Sequence, residues 1–415
     1  MRFNIYLISG LCALTTAVVA QSGPSLEQVR QAIDLGGQYA AYVLLDEKGA
    51  SRCDYDMLDG TWHDYEPAWH TGQLIWGLLS AYEISGDTLL LASAQRAGHW
   101  WASLAIEDGP LEGFFLGEHG GDLPPGMINF TTLADGTPGL FELSRITQDP
   151  KYAEVATRAG NWAIRHLYLP EQGLFYDIID ARTGEIWTRR SPHYPGDDLP
   201  LRLTARPSNE GFLFKDMYRH TGNKNHRDVF MALCNSLIEK QDNLTGLWLD
   251  YHPNHRESGK LHPRFNTWYA ESLLEGYALT GDDRYLQAAL RTARQLLRWQ
   301  QKNGHIYYTN RLDGSYDPSS VCGSATAFAA IIWLKLIQLG YSEFVPGVNR
   351  AASWIVANQF PENHPDPNLR GAFLETWSKW QDGQLRVYVR DIATSFSLRF
   401  LAAYHQYLIA EAGKE

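Results

Sequence analysis

The sequence predicts an all-α fold, an (α/α)6 toroid of six helical hairpins with small β-hairpins in its rim loops. One observation is a recurring unit, in which polar and aromatic residues open an amphipathic helix that stops at a turn. A second is that another helical pattern follows each unit and returns the chain. A third is that strand patterns are sparse and fall in loops. Such repeats indicate an array of helix pairs, and six pairs are enough to close a double ring.

The clearest unit is RFNTWYAESLLEGYALTGD, residues 264–282. The turns that end the units carry Gly86, Gly222, Gly281, Gly340 and, once in place of glycine, Gln148. The predicted helix pairs are 66–87 with 88–104, 135–147 with 151–167, 209–221 with 225–240, 267–280 with 284–299, and 324–339 with 345–358. The last helix, 391–410, pairs with the first, 26–45. Strand patterns lie at 174–179, 186–189, 304–310 and 385–389.

The two helices of each pair differ in polarity. The second helix, as in RYLQAALRTARQLLRWQ, mixes charged with apolar residues and is predicted to form the solvated outer ring. The first helix, as in SATAFAAIIWLKLIQL, is nearly apolar and is predicted to line the inner ring. The inner helices then begin at one end of the barrel, where their N–H groups favour anionic ligands. A two-domain helical array is the alternative, but it leaves the first and last helices unpaired.

The chain begins with features of a secretory signal peptide. Arg2 precedes an apolar run at 5–14, and small residues lead to a predicted cleavage after Ala20. We therefore expect a secreted protein in which residues 21–415 form one domain, because no linker or low-complexity block divides them. The sequons at Asn129 and Asn243 permit N-glycosylation in a eukaryotic secretory route.

Charge and cysteine content exclude several classes of function. The 36 Lys and Arg residues against 47 Asp and Glu give a net charge of −11, and no basic run is present, so a nucleic-acid partner is not expected. No apolar segment after the signal is long enough for a membrane partner. Cys53, Cys234 and Cys322 allow one disulfide at most. Without CxxC or HExxH spacing, we expect neither a metal nor another cofactor.

Three motifs resemble those of the unsaturated glucuronyl hydrolases, glycoside hydrolase family 88, and of the related unsaturated rhamnogalacturonyl hydrolases of family 105. WHTG at 69–72, with YE at 82–83 and SGD at 85–87, is similar to their first inner helix. RFNTW at 264–268, with TGD at 280–282, is similar to their RGQAW helix, and SATA at 324–327 to their SSAxA helix. The resemblance implies the toroid and a carbohydrate-active enzyme that uses carboxylates as acid and base.

Two carboxylates are the candidate catalytic groups. The resemblance implies an aspartate at the start of the second inner helix and another at the start of the third. This chain has Asp135 at the second helix, but it has Arg206 near the expected position at the third. Glu210 lies one turn beyond Arg206 and is the candidate second carboxylate. The alternatives are that Asp135 is a helix N-cap and that Glu210 only complements a helix dipole.

The candidate substrate-binding residues stand at the starts of inner helices. Three arginines suit a uronic carboxylate, unless they pair with loop aspartates. Aromatic faces suit stacking on sugar rings, unless they are ordinary core. The predicted set is Trp69, His70, Arg206, Asn209, Arg264, Asn266, Trp268, Tyr316 and Arg390.

Three hypotheses follow. The first is a glycoside hydrolase for uronic-acid-containing oligosaccharides, with Asp135 as proton donor and Glu210 activating water. The second is a polyuronate lyase acting by β-elimination, with His70, His262 or Tyr269 as acid or base and Asn209 or Asn266 neutralising the substrate carboxylate. The third is a non-catalytic sugar-binding relic, or a toroid adapted to another small molecule. We expect a monomer or a weak homo-oligomer.

Overall fold

The computed structural model describes residues 22–413, apart from 65, 119–125, 189–200, 208–209, 252–253, 255 and 380–384. The predicted signal peptide, at 1–20, and the candidate substrate-binding residue Asn209 therefore lie outside the described residues. The predicted strand at 186–189 lies partly outside them.

Helices form most of the structure. In chain order they are α1 (Leu26–Tyr39), α2 (Pro67–Ser85), α3 (Thr88–Ala102), α4 (Phe130–Gly136), α5 (Pro138–Thr147), α6 (Lys151–His166), α7 (Leu201–Thr204), α8 (Leu213–Thr221), α9 (Lys224–Lys240), α10 (Pro263–Thr280), α11 (Asp283–Trp299), α12 (Gly323–Gln338), α13 (Val345–Ala357) and α14 (Asp391–Ala412). A π-helical turn, Ala40–Leu44, extends α1.

The helices close into a double ring. The inner ring consists of α2, α4 with α5, α8, α10, α12 and α14, and α14 packs on both α12 and α2 to close it. The outer ring consists of α1, α3, α6, α9, α11 and α13. The last helix packs against the first, as the sequence predicts. The (α/α)6 toroid is therefore confirmed.

Short antiparallel strands occupy the loops. They are β1 (Asp54–Asp56), β2 (Thr61–His63), β3 (Met127–Asn129), β4 (Tyr168–Leu169), β5 (Leu174–Tyr176), β6 (Ile178–Asp180), β7 (Ala205–Arg206), β8 (Thr376–Lys379) and β9 (Leu385–Arg390). They form sheets in the orders β2-β1-β9-β8, β3-β6 and β4-β5-β7. The predicted strand at 304–310 contains only isolated bridges, at Tyr307 and Asn310.

The turns between paired helices use the left-handed backbone region. Gly86, Gly222 and Gly281 have φ of 72°, 70° and 71° at the ends of α2, α8 and α10. Gln148 adopts φ 58° at the end of α5, so it takes the conformation that glycine supplies elsewhere.

Two inner helices differ from the sequence prediction. The predicted helix 135–147 is two helices, because Pro138 lacks the N–H that a continuous helix needs there. The predicted helix 209–221 begins only at Leu213, since Gly211 and Phe212 have φ of 66° and 52°. The prediction that Asp135 starts a helix was therefore wrong: it lies in the last turn of α4, whose N-cap is Asn129.

Two further expectations can be compared with the structure. Cys53, Cys234 and Cys322 are buried and free, so they form no disulfide with one another. Among the helices described, none has the length and apolar character that crossing a bilayer requires.

Candidate active site

The inner helices α2, α10, α12 and α14 begin at one end of the barrel, which we call the N-terminal mouth. It is defined by Trp69, Asp135, Glu210, Arg264 and Tyr269, all of which are buried. The broken helices described above bring both candidate catalytic carboxylates to this end.

Asp135 is fully buried and held by two residues of α2. The indole Nε1 of Trp69 donates to its Oδ2, and Nε2 of Gln73 donates to its Oδ1 at 2.9 Å. Burial raises the pKa of the Asp135 carboxyl well above its usual value, although the Trp69 hydrogen bond opposes the rise. Asp135 is thus oriented and favours its protonated form, as a general acid requires.

Glu210 is also fully buried, in the turn before α8. Its Oε1 lies 3.9 Å from Nη1 of Arg206, and neither carboxylate oxygen makes a hydrogen bond of standard geometry with the described residues. Burial raises the pKa of Glu210, while the positive charge of Arg206 opposes the rise. Tyr269 is close enough to interact with Glu210, and burial raises the pKa of its hydroxyl, which therefore stays protonated.

The backbone segments that carry Asp135 and Glu210 pack against each other. A Cβ added to Gly211 would lie 2.5 Å from the carbonyl oxygen of Ala134 and 3.0 Å from Cα of Asp135. The residue after Glu210 therefore packs directly on the backbone of Asp135. The charge of Glu210 adds to the raised pKa of Asp135, because two neighbouring carboxylates resist joint ionisation.

Each of the three candidate arginines pairs with a carboxylate distant in sequence. Arg206 Nη2 lies 2.8 Å from Asp177, Arg264 Nη1 lies 3.1 Å from Glu375, and Arg390 Nε lies 2.8 Å from Asp54. These ion pairs fix the guanidinium groups at the N-terminal mouth. Whether the arginines also bind a substrate carboxylate stays a prediction.

Aromatic rings extend from the mouth into the barrel. Trp69 and Trp268 lie with their ring centroids 5.9 Å apart. Trp268 contacts Phe328 and Phe396 at 5.7 Å and 6.1 Å. Trp69 and Trp268 thus combine core packing with a position beside Asp135, and their stacking on a sugar stays a prediction.

Three other candidates occupy different surroundings. Nδ1 of His70 bonds Asp391, which also accepts from Ser51. Asn266 is fully buried, accepts from the backbone N of Trp248 at 3.0 Å and donates to the backbone O of His262 at 2.9 Å. Tyr316 is 39% exposed and stacks on Tyr307. The structure therefore gives Asn266 a role in fixing the start of α10, and it does not place Tyr316 against the two carboxylates.

One side-chain cluster has the composition of a metal site. Potential ligand atoms of Cys53, His70 and Asp391 lie within 4.8 Å of one another. Burial raises the pKa of the Cys53 thiol well above its usual value, and the charge of Asp391 adds to the rise. The thiol therefore stays protonated unless a bound cation displaces its proton.

The N-terminal mouth also contains residues that the sequence did not point to. Gln73 orients Asp135, and Asp177, Glu375 and Asp54 anchor the arginines. Of these residues, only Gln73 could have been identified from the sequence, because it lies one helical turn after Trp69 and so lies on the same face of the helix. Among the described residues, Gln73 Oε1 and Arg264 Nε are buried here without a hydrogen-bond partner, and Glu210 and the hydroxyl of Tyr269 interact without a hydrogen bond of standard geometry. Such atoms suit a polar ligand.

No protein-family model and no curated protein sequence matches the chain. Solved structures do match it. The cellobiose 2-epimerase of Bacillus thermoamylovorans has a TM-score of 0.69 at 16% identity, over 91% of this chain and 98% of that one. An unsaturated glucuronyl hydrolase specific for heparin has a TM-score of 0.66 at 13% identity, over 94% and 99%. A possible GH105 member from Klebsiella pneumoniae has a TM-score of 0.62 at 17% identity, over 92% and 94%.

These similarities confirm the fold. The chain shares the (α/α)6 toroid with glucuronyl hydrolases and GH105 proteins, as its motifs suggest, and also with sugar epimerases and an isomerase. These structural neighbours differ in the reaction that their names describe, so the shared fold does not identify the reaction of this chain.

Proposed function

We propose that the chain is a glycoside hydrolase that acts on uronic-acid-containing oligosaccharides. One observation supports the proposal: two buried carboxylates lie on adjoining backbone segments at the N-terminal mouth, and they have different partners. Asp135 accepts hydrogen bonds from neutral donors, whereas Glu210 faces a guanidinium. Environments that separate the protonation of two carboxyl groups are how a site acquires one acid and one base.

Asp135 is the proton donor in this proposal. Its proton goes to the glycosidic oxygen or, in an unsaturated substrate, to the enol-ether carbon. Trp69 and Gln73 stabilise the carboxylate that remains, because both donate to its oxygens. Water then attacks the sugar carbon on which positive charge has developed.

Glu210 takes the proton of that water. The charge of Arg206 favours its ionised form, and its two oxygens have no standard hydrogen bond to the described residues that would have to be broken. The oxygen of water then adds to the sugar carbon as its proton passes to Glu210. Return of that proton to Asp135 through solvent completes the cycle.

A uronic carboxylate suits the electrostatics of this mouth. Inner helices begin here, so their N–H dipoles favour negative charge. Arg264 uses Nη1 for Glu375 and Ser324, while its Nε has no hydrogen-bond partner among the described residues. That donor can bind a substrate carboxylate without breaking the ion pair to Glu375.

Ultraviolet absorbance tests the reaction class. An unsaturated uronyl disaccharide absorbs through its conjugated double bond, and hydration removes that bond. We expect absorbance to fall on incubation with the protein. A rise in absorbance on intact polyuronate would instead show the lyase reaction, and unchanged absorbance on both substrates, with no new reducing ends released from either, would contradict both.

A sugar epimerase or isomerase is the second candidate, favoured by the structural neighbours and by His262. This histidine is buried beside Arg264, and its Nδ1 accepts from the backbone N of Arg264 at 3.1 Å. The neutral ring therefore carries its proton on Nε2. Incubation with cellobiose or mannose in D2O tests this function, since epimerisation would introduce deuterium at C2 of the aldose and isomerisation would introduce it at C1 of the ketose. We expect none if the chain is a hydrolase.

A further inference from the structure

A cavity opens at the end of the barrel opposite to Asp135 and Glu210. Glu275 lies eleven residues after Arg264 on α10, and Lys335 lies eleven residues after Ser324 on α12. At the rise of an α-helix, each pair is separated by about 16 Å along the axis. We call this end the C-terminal mouth, defined by Phe141, Phe212, Lys215, Asp216 and Glu275.

The cavity has a volume of about 610 Å³, which is in the range of small-molecule sites. Its walls come from α2, α5, α8, α10 and α12. The cavity is therefore built largely by the inner helices, from the later turns of α10 and α12 and from residues along the whole of α5 and α8.

Charged groups in the cavity are already paired with one another. Lys215 is buried, with Nζ 2.8 Å from Glu275 and 3.3 Å from Asp216. Lys335 Nζ lies 2.9 Å from the other oxygen of Glu275. At the rim, Arg145 bonds Glu142. Positive and negative groups thus nearly cancel inside the cavity.

This pairing disfavours a charged ligand. An anion or a cation would have to break an existing ion pair to gain one of its own, and the remaining partner would then be buried without compensation. A hydroxyl group has no such cost, because it donates to one carboxylate and accepts from a lysine or arginine while both stay paired.

The same cavity offers apolar faces. Trp76, Phe141 and Phe212 line it, and Phe212 reaches it only because its backbone takes φ 52°, which is rare for a residue with a side chain. The ring of Phe212 also packs under Nζ of Lys215, 3.7 Å from its centroid. Burial raises the pKa of Asp216 to about 6, with Lys215 opposing the rise, so this carboxyl donates or accepts near neutral pH.

We propose that the C-terminal mouth is a second binding site, which takes a neutral, hydroxyl-rich ligand such as a mono- or disaccharide. Asp216 and Arg219 bind its hydroxyl groups, and Phe141 packs against its C–H face. The proposed hydrolysis does not use these three side chains, because among the described residues Asp216 and Arg219 pair with Lys215 and Glu275, and Phe141 packs on His220.

Calorimetric titration of the full chain with glucose, maltose and cellobiose tests the proposal, with glucuronate and glycine as charged comparators. We expect at least one neutral sugar to bind. Phe141→Ala and Arg219→Ala should each weaken that binding about tenfold or more, since each removes one contact with the ligand. Both residues lie at the cavity rim, so their removal should leave the fold intact.

Two controls make the result specific. Arg227→Ala removes an exposed arginine on the outer helix α9 and should leave sugar binding unchanged. Asp135→Asn, at the other mouth, should also leave it unchanged. The proposal is overturned if no neutral sugar binds, if glucuronate or glycine displaces the neutral sugar in a way that Arg219→Ala abolishes, if Phe141→Ala binds as the wild type does, or if Asp135→Asn abolishes binding.

Discussion

The two mouths of the barrel are built by the same inner helices and differ in how they treat charge. At the N-terminal mouth, Asp135 and Glu210 are buried without a close ion pair, and burial raises the pKa of each. At the C-terminal mouth, Lys215 and Lys335 share Glu275, which lowers the pKa of that carboxyl despite its burial. Unbalanced charge is typical of catalytic sites, whereas balanced charge is compatible with neutral ligands.

A buried layer separates these two environments. Arg399 bonds Glu271 at 3.0 Å, and Lys335 lies 2.9 Å from the same carboxylate oxygen. The guanidinium of Arg399 also lies 3.4 Å from the ring centroid of Trp76. Helix direction alone therefore does not set the chemistry of a mouth, because Glu271 and Glu275, each close to two cations, have a lowered pKa, whereas Asp135 and Glu210 have a raised one.

The largest expected effect is the loss of turnover in Asp135→Asn. Asparagine keeps an oxygen for Trp69 and Gln73 but has no proton to give. We expect the rate on an unsaturated uronyl disaccharide to fall about 10³-fold. The matched control is Asp228→Asn on α9, whose side chain is 63% exposed and should leave the rate unchanged. Retained turnover in Asp135→Asn would remove this residue from the mechanism.

The next largest expected effect is a loss of stability when a buried ion pair at the N-terminal mouth is broken. Glu375→Gln leaves the charge of Arg264 buried without its partner, which should lower the free energy of unfolding by about 3 kcal/mol. Glu343→Gln breaks an exposed pair with Arg294 and should cost under about 1 kcal/mol. Denaturant unfolding of both variants checks the difference. Equal costs would show that the Arg264 pair does not stabilise the mouth.

A smaller effect is expected from the turn that carries Glu210. Gly211→Ala combines a φ of 66° with a clash against Ala134, whereas Gly222→Ala has a similar φ and no atom within 4 Å. We expect Gly222→Ala to cost about 1 kcal/mol and Gly211→Ala to cost clearly more. Thermal unfolding measures both. If the costs are alike, close packing of this turn on Asp135 is not important for stability.

The smallest effect is a pH dependence of stability. Because the pKa of Asp135 is raised in the folded state, the folded protein holds a proton that the unfolded chain releases above its usual pKa. This group therefore lowers stability as pH rises. Asp135→Asn removes that penalty and should be more stable than the wild type at pH 8 by about 1 kcal/mol or more, with a smaller gain near pH 4. A gain that is equal at both pH values would contradict the raised pKa.

The sequence predicts the ring well and the site in part. Repeated hairpins with glycine turns predict the toroid, because each inner helix buries an apolar face only against its neighbours. The break at Pro138 and the left-handed turn at Phe212 were missed, since a helical pattern continues across both. The ion-pair partners of the arginines are Asp54, Asp177 and Glu375. Each is far from its arginine in sequence, so the sequence alone does not show that the two residues are in contact. The C-terminal mouth was missed because its residues resemble ordinary core and surface positions.

The central claim is that Asp135 and Glu210 divide the roles of acid and base at the N-terminal mouth. The pH dependence of kcat/KM in the wild type and in Glu210→Gln tests it most directly. The account predicts a bell-shaped profile for the wild type, rising as Glu210 loses its proton and falling as Asp135 loses its own. In Glu210→Gln the remaining activity should keep the alkaline fall and lose the acidic rise. A variant that retains both limbs would contradict the account.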